Sequence, residues 1–242
     1  ARQMYVVGGS ARDTALGLSI GELDLEIFGL SPDALGDLIG GEFEVQRVGA
    51  HFPVARISGL PIDIGCVESL EPTIEAAALR RDFTLNALYI DSESGELFDP
   101  LDGMADLQKG ILRHTGPRFA EDPLRILRGM QLAARFNLSL APETAKISRG
   151  LSLEGIAPER IFEEWRKLLV LGNAPSMGLR VLEAAGALRF FPELAGLVGC
   201  PQDPGFHPEG DVWTHTGHAL DAFSQERTGD SREDLVVGLA AL

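Results

Sequence analysis

The sequence predicts an α+β fold, a mixed sheet with flanking helices followed by an all-helical region. Between residues 4 and 100, short apolar runs alternate with turns marked by glycine and proline. From about residue 103, strand patterning fades and apolar residues recur at helical spacing. A chain of 242 residues is long enough to bury a sizeable core in one large or two small domains.

Taken in order, residues 4–7, 23–28, 42–48, 54–57, 62–64 and 86–91 read as strands, and 10–17 and 32–39 as helices. Gly40-Gly41, Gly59 and Pro61 punctuate them. In the second half, Leu124, Leu127, Leu132 and Phe136 fall at helical spacing. So do Ile161, Trp165 and Leu168, and then Leu179, Leu182 and Ala185. The turn Asp99-Pro100-Leu101-Asp102-Gly103 marks one boundary, and a Gly- and Pro-containing stretch over 199–205 marks another. The expected domains are therefore 1–102, 103–198 and 199–242.

Composition narrows the function. Hydrophobic content of 45% with 24% charged residues is ordinary for a globular protein. No apolar run approaches the length of a membrane span and the first residues carry no secretory pattern, so no membrane association is expected. Two cysteines, Cys66 and Cys200, make no disulfide framework, and a reducing cytoplasm is the expected compartment. A net charge of −15 argues against nucleic-acid binding through the overall field. Arg118, Arg125, Arg128, Arg135, Arg160, Arg166 and Lys167 nevertheless fall in one central region that a local basic groove would need.

The most informative stretch is residues 5–28. The apolar run Tyr5-Val6-Val7 stops at Gly8-Gly9, and a helix-like segment with Arg12 follows. Glycines let backbone N–H groups approach a phosphate closely. Next, Leu23-Asp24-Leu25-Glu26-Ile27-Phe28 places two carboxylates two residues apart, hence on one face of a strand. Paired anions need a cation between them, and hard oxygen ligands suit Mg²⁺. A phosphate cradle, an arginine and metal carboxylates in this order suggest a nucleoside triphosphate site.

This arrangement resembles the head domain of the class II tRNA nucleotidyltransferases and bacterial poly(A) polymerases, in the polymerase beta superfamily. That family reads apolar-Gly-Gly-x-x-Arg-Asp and then Asp-x-Asp or Asp-x-Glu. Asp24-Leu25-Glu26 matches the second form, although Gly21-Glu22 stands where the family often has Lys-Asp. The resemblance implies catalytic and metal-binding roles for Asp24 and Glu26. It implies the same for Asp63, in Ile62-Asp63-Ile64, where a plain strand-edge acid is the alternative. Arg80-Arg81-Asp82-Phe83-Thr84-Leu85-Asn86-Ala87 matches the family's second motif. Gly8, Gly9, Arg12, Arg81, Asp82 and Asn86 are thus expected to bind nucleotide, with arginine forks on phosphate and an aspartate on ribose hydroxyls.

A further match, Glu121-Asp122-Pro123-Leu124-Arg125, corresponds to the family's base-reading motif. Cytosine and adenine each offer an amino donor beside a ring-nitrogen acceptor, whereas guanine and uracil reverse that order. An aspartate only accepts and an arginine only donates, so Asp122 with Arg125 reads the difference. Three residues apart, they are expected on neighbouring positions of one helix face, with Arg128 following. Asp before Pro is equally a helix-cap pair, which would leave the arginines for phosphates. Pro158-Glu159-Arg160-Ile161 looks like the family's Glu-Arg-Ile helix, whose acid–base pairs stiffen the neck. His207-Pro208-Glu209-Gly210-Asp211-Val212-Trp213-Thr214-His215 resembles the opening of an HD-type metal domain. The His-Asp pair that would complete such a site does not follow in this sequence.

The resemblance implies Mg²⁺-dependent addition of C, C and A to the tRNA 3′ end from CTP and ATP, with no obligate protein partner evident. The alternatives are a CC-only or A-only enzyme, a poly(A) polymerase and, less favoured, an HD-type phosphohydrolase. One departure bears on that choice. Between Gly65 and Arg80 the family commonly carries a longer, glycine-containing segment, and its shortening is associated with enzymes that stop after CC. The alternative is that a stretch of chain is missing from this sequence.

Overall fold

Seven strands form one sheet around which the first half of the chain is built. They are β1 (Gln3–Val7), β2 (Leu23–Phe28), β3 (Val45–Val48), β4 (Val54–Ile57), β5 (Ile62–Val67), β6 (Tyr89–Asp91) and β7 (Leu97–Phe98). The computed structural model describes residues 3–48, 54–67 and 73–242. The strand order is β3-β4-β5-β2-β1-β6-β7, and only β2 and β5 run parallel. Their register sets Asp24 beside Asp63 and Glu26 beside Gly65.

Alternation along β2 sorts its side chains between the two faces of the sheet. Leu25 and Ile27 pack with Leu30, Leu35, Ala55, Ile57 and Ile64 on one side. Helix α2 (Pro32–Ile39) closes that side, started by Ser31, whose hydroxyl accepts from the Ala34 N–H at 3.2 Å. Phe28 faces the other side with Tyr5, Val7, Val67, Ala77, Ala78 and Tyr89. Tyr5 meets Phe28 edge-on at 5.4 Å between ring centroids. Helix α1 (Gly8–Ala15) leaves β1 directly, and α3 (Ile74–Ala78) precedes the two arginines.

The chain divides into two units, Ala1–Ala105 and Asp106–Leu242, within helix α4 (Gly103–Gln108). Asp99 starts that helix, accepting from the Gly103 and Met104 N–H groups at 2.7 and 2.9 Å. The second unit is helical: α5 (Arg125–Phe136), α6 (Pro142–Ser148), α7 (Pro158–Leu171), α8 (Pro175–Ala184), α9 (Pro192–Ala195), α10 (Val212–Gln225) and α11 (Ser231–Ala241). Helix α5 is its centre, with Ile126, Leu127, Met130, Leu132, Ala133 and Ala134 buried. Among the described residues, no helix is long and apolar enough to cross a membrane.

The structure differs from the sequence reading in several places. The apolar run 86–91 yields a strand only from Tyr89, because Thr84–Asn86 forms a 3₁₀ turn that keeps Asn86 bonded to Asp82. The helical unit contains one short parallel pair, Ile111–Leu112 with Ser139–Leu140. Residues 199–242, expected as a third piece, belong to the second unit. Buried Trp213 and Leu220 on α10 and Asp234 on α11 account for that packing.

Gly178 on α8 shows how tightly the helical unit is packed. A Cβ there would strike the Leu168 side chain and come within 2.7 Å of the Met130 carbonyl oxygen on α5. Backbone cannot yield as a side-chain tip does. Gly178→Ala is therefore expected to cost about 1–3 kcal/mol and lower the thermal midpoint by several degrees. An unchanged midpoint would mean that α5 and α8 are not in close contact.

Candidate active site

The acids of β2 lie at increasing depth. Glu22, just before the strand, is exposed; Asp24 is half-buried; Glu26, between Asp24 and the core residue Phe28, is 6% exposed. Ser10 on α1 locks the entrance. Its hydroxyl donates to the Glu22 carbonyl at 2.8 Å and accepts from the Asp24 N–H at 2.9 Å.

Gly8 begins α1 with φ +63°, a backbone conformation that a side chain strains. A Cβ there would also come within 3.3 Å of Arg81 Nη1 and 3.4 Å of Asp24 Oδ2. The glycine turn, one carboxylate and one guanidinium thus meet at a single point.

Glu26 has a different environment from the one the sequence suggested. Its Oε1 accepts from Arg80 Nη2 at 2.8 Å, and its Oε2 accepts from Arg81 Nη2. Both carboxylate oxygens are engaged by cations of the chain itself, so Glu26 is a clamp for the arginine pair. The acids that share a field are others. Asp63 accepts a two-pronged bond from Arg56 at 2.9 and 2.7 Å, which holds its carboxyl below the ordinary range. The guanidinium is raised in turn, chiefly by Asp63, with the charges of Glu22 and Asp24 adding to the effect. Glu22 and Asp24 thus add to the negative field at Arg56, and the parallel register sets Asp24 beside Asp63. Hard oxygen donors of this kind fit a divalent ion.

Arg12, Asp82 and Asn86 form a buried chain of hydrogen bonds. Arg12 Nη1 donates to Asn86 Oδ1 at 2.5 Å, and Asn86 Nδ2 donates to Asp82 Oδ1 at 3.0 Å. Asp82 Oδ1 also accepts the Phe83 N–H at 2.8 Å, and Arg12 pairs with Asp13 at 2.7 Å. This network joins α1 to the segment that follows α3. Gly9 lies over Arg12, its added Cβ 3.5 Å from Nη2.

In the second unit, Asp122 and Arg125 are close in sequence but not on one helix face. Helix α5 starts at Arg125, and Asp122 lies before it in extended conformation (φ −131°, ψ 101°). Pro123 ends the preceding 3₁₀ turn there. Asp122 Oδ1 accepts the Leu124 N–H at 3.1 Å, and Oδ2 accepts from Arg160 Nη2 on α7 at 2.9 Å. Arg125 Nη1 donates to the Arg118 carbonyl at 2.8 Å, and half-buried Arg128 follows one turn on. The sequence reading gave no role to Ser10, Glu22 or Arg56, which the structure places beside Asp24 and Asp63, and did not pair Arg160 with Asp122. The alternation Glu22-x-Asp24-x-Glu26 was the available signal for Glu22.

Comparisons with known proteins show what the chain is similar to. The Poly A polymerase head domain matches residues 45–113, and the probable RNA- and SrmB-binding site of polymerase A matches 137–197. The Multifunctional CCA protein of Xanthomonas campestris pv. campestris (strain B100) is 40% identical over 261 residues, covering 99% of this chain and 62% of its own. That of Tolumonas auensis is 38% identical over 259 residues, with the same shares. The CCA-adding enzyme of Bacillus stearothermophilus in complex with CTP is 28% identical with a TM-score of 0.61, covering 75% of this chain and 48% of its own. The Thermotoga maritima CCA-adding enzyme complexed with tRNA, 24% identical, shares the fold at a TM-score of 0.68 over 99% of this chain and 58% of its own.

The fold and site define a nucleotidyltransferase head with a helical region. Within that class, the chain belongs to the class II family of CCA-adding enzymes and bacterial poly(A) polymerases. Nucleotidyltransferases of this family generally use a divalent metal. The chain spans about 62% of the length of the curated relatives. The 261 aligned positions exceed its 242 residues, so at least nineteen aligned positions have no residue here.

The two roles on β2 separate by stability. Glu26→Ala leaves two half-buried guanidiniums without their anion and should cost about 2–3 kcal/mol, reduced by their contact with solvent. Glu22→Ala should stay within about 0.5 kcal/mol, as exposed positions do. Urea titration of both variants checks this. Equal losses would remove the clamp assignment.

Proposed function

We propose that the chain carries the nucleotidyl-transfer part of an enzyme that adds C, C and A to the 3′ end of tRNA, without a template, from CTP and ATP. The meeting of the Gly8 turn, Asp24 and Arg81 carries this reading. A triphosphate needs backbone donors, a guanidinium and a metal carboxylate at one place. Gly8 and Gly9 would lie against its phosphates, with Arg81 held in position by Glu26. Asp24 and Asp63, with Glu22 in place of Glu26, would hold the divalent ion, and oxygen-only donors favour Mg²⁺. When bound, that ion supplies charge neutralisation for the pyrophosphate leaving group and activation of the RNA 3′-hydroxyl. Arg12, Asp82 and Asn86 keep the arginine segment and α1 in register, with Asp82 also the candidate ribose contact.

Asp122 and Arg125 are the base-reading pair in this proposal. Their present partners, Leu124 N–H, Arg160 and the Arg118 carbonyl, engage two acceptors and one donor, and the Oδ2 acceptor and Nη1 donor are those a base edge would take over. The helix-cap reading of Asp122 does not hold, because α5 starts at Arg125 with Leu124 before it and no side-chain cap, and Asp122 instead bonds the Leu124 N–H in the turn. The reaction would take place in the cytoplasm.

The test supplies Mg²⁺, labelled CTP or ATP, and tRNA lacking its 3′ end. Transfer to RNA is expected, and Asp24→Asn should abolish it while leaving tRNA affinity within a few-fold. Asp122→Ala or Arg125→Ala should raise use of UTP and GTP relative to CTP, each lost base contact being worth about 1–3 kcal/mol of discrimination. Nucleotide hydrolysis without transfer, or selectivity unchanged in both reader variants, would contradict the proposal.

The nineteen or more aligned positions without a residue here fit two explanations, a stretch missing from this sequence, which keeps the CCA reading, or a short segment in an enzyme that stops after CC. The short segment between Gly65 and Arg80 is the candidate location, and residues 68–72 of it lie outside those described. Absence of ATP incorporation onto tRNA ending in CC would select the CC-only reading.

A further inference from the structure

Between α8 and α10 the helical unit holds a groove that none of the residues assigned above lines. Two close contacts bring its walls together. The Ser176 N–H, in the first turn of α8, donates to Asp221 Oδ1 on α10 at 2.9 Å, and a Cβ on Gly217 would come within 3.3 Å of the Ser176 Cβ. The groove encloses about 130 Å³. Buried Leu179 and Trp213 form its floor, and exposed Arg180, Glu183 and His218 form its rim. Pockets for whole ligands run to about 300–1,000 Å³, so this one takes a single ring system of a larger molecule.

The rim has a particular chemistry. Arg180 and Glu183 stand three residues apart on α8 and line the same groove, a donor-only group beside an acceptor-only group. The Trp213 indole Nε1–H donates to Glu183 Oε2 at 3.3 Å, which directs that carboxylate over the floor. Glu183 Oε1 accepts no hydrogen bond among the described residues. Arg180 and His218 have no hydrogen-bond or ion-pair partner among them either. In a chain of net charge −15, a guanidinium without an acid is a local exception that suits an anionic strand.

We propose that this groove takes one unpaired cytosine or adenine of an RNA strand. Each of those bases offers an amino donor beside a ring-nitrogen acceptor, the complement of Glu183 and Arg180. Leu179 and the exposed edge of Trp213 give the ring an apolar seat, and His218 supplies an N–H for an adjoining ribose or phosphate oxygen. Splayed single-stranded bases are the usual target of sequence-specific RNA contacts. Ser176, Leu179, Arg180 and Glu183 fall within the matched stretch 137–197, whereas Trp213 and His218 on α10 lie outside it. The inference rests on RNA being the substrate, and it adds a second place where base identity is read, separate from Asp122 and Arg125.

The chain has two tryptophans, Trp165 and Trp213, and their indole N–H resonances test this without a label. Trp213→Phe assigns the signal of the groove. Tetranucleotides of cytidine or adenosine should shift it, while Trp165, packed edge-on against Phe191 at 5.3 Å, stays in place. Tetrauridine should act only at concentrations several-fold higher. Arg180→Ala and Glu183→Gln should each weaken the response about fivefold or more with unchanged circular dichroism, whereas Asp24→Asn should leave it as it is. A Trp213 signal that no tetranucleotide moves, an equal response to uridine, or the same shift with inorganic phosphate alone would overturn the pocket. Transfer to tRNA by the unsubstituted chain is scored separately. Transfer without a Trp213 response removes the groove alone, and a response without transfer upholds the groove and removes the transfer reading.

Discussion

A carboxylate at Glu26 fastens two arginines that lie 54 and 55 residues further along the chain, and the geometry of the sheet's reactive end follows from it. Glu26 stands one step deeper on β2 than Asp24, close to the aromatic packing of Tyr5, Phe28 and Tyr89. A carboxylate at that depth is unfavourable unless cations meet it, and Arg80 and Arg81 do so. Held there, Arg81 reaches the Gly8 turn beside Asp24. The Arg12–Asn86–Asp82 chain ties the same segment to α1 from the other side. Two polar networks, one buried and one partly buried, thus position the glycine turn, the acid and the arginine.

Charge is then distributed by depth. Inner Glu26 is matched by arginines of the chain itself, while the outer acids Glu22, Asp24 and Asp63 share the field of exposed Arg56. The Arg56–Asp63 pair has one solvent-exposed partner and is the weaker of the two, whereas the Glu26 carboxylate is nearly buried against its arginines. The helical unit shows a comparable arrangement on its own surface. Asp122 is held by Arg160 and by the N–H of Leu124, contacts that align a carboxylate and remain exchangeable.

Much of the fold was legible in the sequence. The strands at 23–28 and 54–57 and the helix at 32–39 appear with the bounds that periodicity gave them. Strand β7 was missed because two residues carry no period, and β5 runs three residues past its expected end. At the site, the neighbourhood of Gly8, Asp24 and Arg81 matches the order the sequence suggested, whereas the pairing of Glu26 with Arg80 and Arg81 was not readable. Alternation puts Glu22, Asp24 and Glu26 on one face but says nothing of depth, and depth decides which acid meets arginine and which meets solvent. Asp122 and Arg125 were placed on one helix face from spacing alone, but Pro123 delays the helix to Arg125. Partners far apart in sequence, Arg56 with Asp63 and Arg160 with Asp122, follow from tertiary pairing and leave no local mark.

The central claim is that the divalent ion belongs to the outer acids, with Glu26 committed to the arginines. Anomalous diffraction from crystals grown with Mn²⁺ tests it directly. The account predicts a peak bounded by Asp24 and Asp63 with Glu22 at its edge, and the Glu26–Arg80–Arg81 contacts intact. A peak coordinated by Glu26, with either arginine turned away, would contradict it.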